Sequence, residues 1–221
     1  MNEAVIGTIK GVVKGVLSQV PVAGPIVTAV YDEVVSASLL KRREEWERNI
    51  EQRLEALEDE KIVEKLIGNE SFVSCLIQAT REAMSTHQHV KIDRLANAVV
   101  NSIDSSIDDD KKQIFLRWIE RYSETHILVL EFLNTPIYTF AKNGVVPFVN
   151  EQKRTIKELI ELAYPQKRFA DEVIIIVIRE LFSDGLIVTN HIDFKNPGDV
   201  FTKGYTTQIA KEFLTYIKDN R

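Results

Sequence analysis

The sequence predicts a mostly α protein, a helical bundle containing one long helix followed by a small C-terminal winged-helix-like α+β module. Three observations lead there. Apolar residues recur at helical spacing through almost everything up to about residue 164, residues 26–67 hold neither proline nor glycine, and the C-terminal part reads as helix, helix, hairpin, helix. The expected division is a bundle over 1–135, a linker over 136–150 and the winged-helix-like module over 151–221.

In the first segment Val5, Ile9, Val12, Val13, Val16 and Val20 recur at helical spacing, with Lys10 and Lys14 together on another strip. Pro21 and Pro25 bracket a turn, and Pro25 suits the first position of a second helix. From Ile26 to Ile67 no residue breaks that helix, which at about 1.5 Å per residue would reach roughly 60 Å. Residues 26–40 are largely apolar. Residues 41–65 are dense in charge around one apolar stripe, Trp46, Ile50, Leu54, Leu57 and Ile62. A continuous helix is expected, with Glu58–Lys61 as the place where a break would fall.

Gly68 and Asn69 form a stop and an N-cap, opening a helix over 70–86. His87–His89 is a connector before a helix over 91–105. Asp108, Asp109 and Asp110 open the next helix, because acidic side chains suit the positive end of the helix dipole. That helix is expected to run through Phe115, Trp118, Tyr122, Ile127 and Leu133 and to stop before Pro136. Residues 136–147 read as irregular, with Asn143-Gly144 as a turn.

Residues 151–164 and 169–182 form two more helices. The second carries a solid apolar run over 173–178, which suggests burial on more than one side. After Gly185, residues 186–188 read as a strand, Asn196-Pro197-Gly198-Asp199 as a turn and residues 200–205 as the return strand. Thr206 or Thr207 begins a final helix with Ile209, Phe213, Leu214 and Ile217 on one face.

Composition bounds the function. The 221 residues are 44% hydrophobic and 28% charged, as in soluble globular chains, which excludes a disordered tail, a fibre or a disulfide scaffold. A net charge of −5 argues against a general polyanion binder. The single cysteine, Cys75, fits a reducing compartment. No secretory signal is visible, and the longest uncharged run, Gly15 to Tyr31, is interrupted by Pro21 and Pro25. A spanning helix needs about 20 apolar residues, so a cytoplasmic protein is expected, peripheral to a membrane when active.

Catalytic signatures are missing: no glycine-rich phosphate loop, no Gly-x-Ser-x-Gly, no His-Glu-x-x-His and no paired Cys-x-x-Cys. His87, His89, His126 and His191 are scattered, and His87 with His89 falls short of the four ligands a closed zinc site needs. The acidic run from Asp104 to Asp110 lacks the glycine and distant glutamate of a calcium loop and is read as helix capping. Cys75 sits among Phe72, Leu76 and Ile77, as a buried inert thiol would. No enzyme, no metal and no cofactor is expected.

Two features carry the functional reading. Gly7, Gly11 and Gly15 repeat every four residues, with Lys10 and Lys14 between them. Three glycines cost a helix about 2–3 kcal/mol relative to alanine, which close approach of a partner would offset. The ridge reads either as tight packing of the first helix on the second or as a surface meeting another helix or an anionic membrane. In the winged-helix-like module, residues 151–221 hold eleven Lys/Arg against eleven Asp/Glu. Lys195 and Lys203, in or beside the wing, are its candidate phosphate contacts.

Together, the turn leading into a long Arg- and Glu-rich helix (Pro21–Glu60), the helical middle, Gly185-Leu-Ile and Thr207-x-x-Ala210-x-x-Phe213-Leu resemble a loose group of bacterial helical proteins that includes the abortive-infection alpha family. Ala210 stands where glycine is common in that group. The resemblance implies a bacterial origin and a role in stress or phage defence, and it implies no catalytic residue. The reading that results is a non-enzymatic interaction protein that binds a protein partner or itself, with membrane perturbation by the first helix as a subordinate route. The alternative is a winged-helix transcriptional regulator with a helical dimerisation domain.

Overall fold

Side-chain caps and capping boxes fix the starts of four helices of this chain among the described residues. The computed structural model describes residues 2–20, 29–59, 61–146, 155–167, 169–189 and 204–219, and the side chains of the second helix from residue 37 onward. Eleven helices lie among the described residues: α1 (Glu3–Leu17), α2 (Ala29–Glu55), α3 (Ile62–Leu66), α4 (Glu70–Ser85), α5 (His89–Asn101), α6 (Asp109–Arg121), α7 (Glu124–Asn134), α8 (Pro136–Lys142), α9 (Ile156–Ala163), α10 (Asp171–Ser183) and α11 (Gln208–Tyr216). The chain forms two compact units, one made of Met1–Arg121 with Tyr216–Arg221 and the other of Tyr122–Thr215.

In the first unit, Asn2 caps α1 by accepting the Ala4 N–H at 3.1 Å, and Asn69 caps α4 by accepting the Phe72 N–H at 2.9 Å. The expected continuous helix over 26–67 is interrupted after Glu55. There the Leu57 and Glu58 N–H groups donate to carbonyls three residues back, and Glu58 adopts a left-handed φ of 49°. Asp59 then accepts the Lys61 N–H at 2.9 Å and pairs with Lys65 at 2.6 Å, offering the backbone a turn in place of another helical step. A glutamate in the left-handed region costs about 1–2 kcal/mol. Glu58→Gly is therefore expected to stabilise the protein by about 0.5–1 kcal/mol after glycine's extra unfolded-state entropy, and an unchanged urea midpoint would contradict this.

α1 packs on α2, α3 and α4, while α5 lies against α2, α4 and α6. Of the stripe read from the sequence, Trp46, Ile50, Leu54 and Ile62 are buried, as are Phe72 and Phe115, while Leu57, just past the end of α2, is half-buried. The end of the chain completes this core. Tyr216 meets Phe115 at 5.3 Å between ring centres, and Asn97 and Asn101 donate their side-chain amides to the Ile217 and Tyr216 carbonyls at 3.0 and 2.8 Å.

In the second unit α7 packs on α8, α9 and α10. The helix expected to run from Asp108 to Leu133 stops at Arg121, and α7 restarts with Ser123 as its N-cap. Residues 136–142, expected to be irregular, are helix α8, which Pro136 opens at its first turn where a missing N–H costs nothing. α9 begins with a capping box in which Thr155 and Glu158 bond each other's backbone N–H. α10 buries one side only: Ile174, Val177, Ile178 and Leu181 face inward while Val173, Ile176 and Phe182 are exposed, contrary to the burial expected on several sides.

The winged-helix-like α+β module is contradicted. Among the described residues there is no strand, only a single antiparallel bridge between Ile187 and Thr206. The Val188 N–H donates to the Tyr205 carbonyl and the Thr207 N–H to the Leu186 carbonyl, but the ladder goes no further among the described residues. The Tyr205 N–H turns instead to the Leu133 carbonyl at 2.7 Å, satisfying an open carbonyl near the end of α7. Gly204 lies so close to that helix end that a Cβ on it would stand 2.7 Å from the Asn134 carbonyl oxygen. Backbone groups that a return strand needs are spent on α7. The 196–199 turn lies outside the described residues.

Candidate functional site

Successive residues of a helix are about 100° apart, so each ridge glycine stands about 200° from the residue two positions on. The structure follows this arithmetic. Ile9, Val13 and Leu17 are fully buried, whereas a Cβ built on Gly7, Gly11 or Gly15 meets nothing within 4 Å. Among the described residues, tight glycine packing of the first helix on the second is thus absent, and branched side chains make that contact. Lys10 and Lys14 are exposed beside the ridge. Burial raises the carboxyl of Glu51 on α2 above its usual range and Glu47 adds to this, while Lys10 and Lys14 pull the other way. Arg43 closes the other end of α1 by donating its guanidinium to the Leu17 and Val20 carbonyls, where a cation suits the helix dipole.

A second feature of the same unit was not visible in the sequence. α2, the end of α4 and the start of α5 enclose an open groove of about 430 Å³. Its floor is Trp46, Ala83 and Ile92, and its rim carries Lys41, Arg42, Glu45, His87 and His89. Trp46 is fixed by donating its indole N–H to Thr80 Oγ1 at 3.0 Å, and Thr80 in turn donates to the Leu76 carbonyl at 2.6 Å. Arg42 donates to the Met84 carbonyl at 2.6 Å, which holds it at the end of α4. The sequence marked His87 and His89 as a pair but gave no sign of what faces them, because Lys41 and Arg42 lie more than forty positions away along the chain.

Of the other residues singled out in the sequence, the acidic run and His126 have structural partners, and His191 lies outside the described residues. Asp108 accepts the Asp110 N–H at 3.0 Å and Asp104 the Ser106 N–H at 2.8 Å, so the acidic run caps backbone as expected. His126 was missed: its Nδ1 accepts the Ser123 N–H at 3.2 Å, which places the ring proton on Nε2, 2.7 Å from the Glu180 carboxylate. The Ser123 hydroxyl also lies 2.8 Å from Nδ1, and the ring stacks on Tyr122 at 4.8 Å. This is a serine–histidine–carboxylate chain built to start α7, since the same nitrogen that would take a hydroxyl proton is occupied by a backbone N–H. Lys195 and Lys203 lie outside the described residues. Among the described residues no cluster of three or more His, Cys, Asp or Glu side chains is placed to hold a metal ion, and no helix is long and apolar enough to cross a membrane.

Cys75 is fully enclosed, with its sulfur 3.8 Å from the Ala98 carbonyl and 3.7 Å from the Tyr216 hydroxyl. Burial pushes its thiol up to about 11 and pushes the Tyr216 hydroxyl up as well. Above about pH 9 the unfolded chain releases the thiol proton while the folded chain keeps it, so this contribution to stability is complete at neutral pH and is lost in alkali. We expect stability to fall by about 1.4 kcal/mol per pH unit from this group alone between about pH 9 and 11. Cys75→Ala should flatten the urea-midpoint profile in that window, and an unchanged slope would contradict the assignment.

No protein-family model matches the chain, no curated protein is similar to it, and no solved structure matches it.

Proposed function

We infer that this is a non-enzymatic interaction protein whose docking element is the outward glycine ridge of α1, and that the ridge receives a partner helix at close backbone distance. The observation that supports this is the open space over Gly7, Gly11 and Gly15. Three interior glycines weaken α1 by about 2–3 kcal/mol, and no close contact among the described residues offsets that cost. A ridge without Cβ atoms lets a second backbone approach closely, and Lys10 and Lys14 beside it favour a partner with acidic flanks.

The geometry speaks against direct membrane insertion of the docked helix. The bulky apolar side chains that a bilayer would take up, Ile9, Val13 and Leu17, are the ones that anchor α1 in the first unit. Exposing each would cost about 1.5–3 kcal/mol. A setting in bacterial stress or phage defence rests on the sequence resemblance alone. The transcriptional alternative has less support, because the described residues hold no strand and only the Ile187–Thr206 bridge.

Two measurements test the ridge. Alanine at all three glycines, which meets no steric obstacle, should raise stability by about 2–3 kcal/mol in urea titrations. A photo-crosslinking residue at the exposed Thr8, beside the ridge, should give a discrete covalent adduct in the full chain expressed in bacteria, and Gly11→Leu should abolish it. An adduct that survives Gly11→Leu, or none at all, overturns the reading.

A further inference from the structure

We propose that the groove between α2, α4 and α5 binds a small phosphate-bearing organic molecule, with the phosphate on its cationic rim and the apolar portion on its floor. The volume of about 430 Å³ lies within the range of small-ligand sites. In a chain of net charge −5, the rim gathers Lys41, Arg42, His87 and His89 against one carboxylate among the described residues, Glu45. Lys41 reaches that carboxylate only at 3.9 Å in a largely exposed pair, an interaction weak enough for a ligand to displace. Ammonium, guanidinium and two imidazoles all supply donors, a set that suits a group with three acceptor oxygens better than a two-oxygen carboxylate.

The local backbone strengthens this arrangement. The first turn of α5 carries His89 and Lys91 and no acidic residue, and its cap residue Gln88 makes no side-chain capping bond. The helix therefore presents its positive end without the carboxylate that offsets it in α6 or α9. Arg42 is already oriented by the Met84 carbonyl, so part of its ordering cost is met before a ligand arrives. Below the rim, the half-buried Ile92 offers apolar surface in the same groove as the edge of the fixed Trp46 ring.

The test uses the full-length chain with AMP as the phosphate-bearing probe and adenosine as the uncharged one, followed by amide chemical shifts at Ile92 and His89 and by calorimetry. AMP is expected to shift both amides and adenosine to leave them in place. Lys41→Ala and His89→Ala, both at exposed positions, should each weaken AMP binding by about tenfold while leaving the unfolding midpoint unchanged. The absence of any AMP-dependent shift, an equal response to adenosine, or AMP binding that both variants leave intact would each overturn the proposal.

Discussion

Replacing Gly204 with alanine is expected to destabilise the second unit by about 3 kcal/mol. Two costs add. Gly204 holds a φ of +56°, a conformation that charges an alanine about 1–2 kcal/mol. The new Cβ would also stand 2.7 Å from the Asn134 carbonyl oxygen and 3.1 Å from that of Leu133. Both are backbone atoms at the end of α7, so relief requires moving the helix end or breaking the Tyr205-to-Leu133 bond. Gly185 supplies the control. Its φ is +72° but its Cβ would meet nothing within 4 Å, so Gly185→Ala should cost only the conformational part, about 1–2 kcal/mol. Both tryptophans, Trp46 and Trp118, belong to the first unit, so the loss should be read by circular dichroism and not by tryptophan emission. Equal effects at positions 204 and 185 would show that the contact with α7 carries no weight.

Trp46→Ala should cost about 4 kcal/mol, the range for deleting a large buried aromatic. The indole sits at 2% exposure beneath the groove, and its removal also leaves Thr80 Oγ1 without its donor in a buried site. Trp46→Phe keeps most of the volume and loses the N–H, so about 1–2 kcal/mol is expected. Urea denaturation followed by the remaining Trp118 emission separates the two variants. Near-equal losses would mean that the hydrogen bond, and not the packing, fixes α2 over α4.

Where the sequence spoke clearly, it did so through short-range signals. Asn69 and Asp108 each fix a helix start by local hydrogen bonding, and those starts were legible, whereas Pro136 was read as a stop although it opens α8. The stripe from Trp46 to Leu54 was legible for the same reason, since period and burial agree. The break after Glu55 was only marked as a place where one would fall, because a left-handed glutamate leaves no glycine or proline to betray it. The stop at Arg121 was hidden by an apolar period that runs on unbroken while Ser123 and His126 restart the helix in a box whose third residue is a histidine instead of the usual acid.

The candidate sites divide in the same way. Which way the ridge faces follows from counting two positions along α1, so the residue order alone contains it. The groove is different, because its rim draws on α2 and on a connector that meet only in the folded bundle. The hairpin failed for a tertiary reason. Residues 186–188 and 200–205 read as paired strands, yet the Tyr205 N–H finds its acceptor at the end of a helix more than seventy positions earlier.

The return of residues 216–221 to the first unit orders events during synthesis. The ribosome makes α1 to α6 first, but Cys75, Asn97, Asn101 and Phe115 meet their partners only when residues 216 and 217 emerge, after the whole of the second unit. Until then the nascent first unit has an unfilled socket where the Tyr216 ring belongs. Folding of the first unit therefore waits on synthesis of the second, and a translation product stalled before residue 216 would expose that socket to chaperones and proteases.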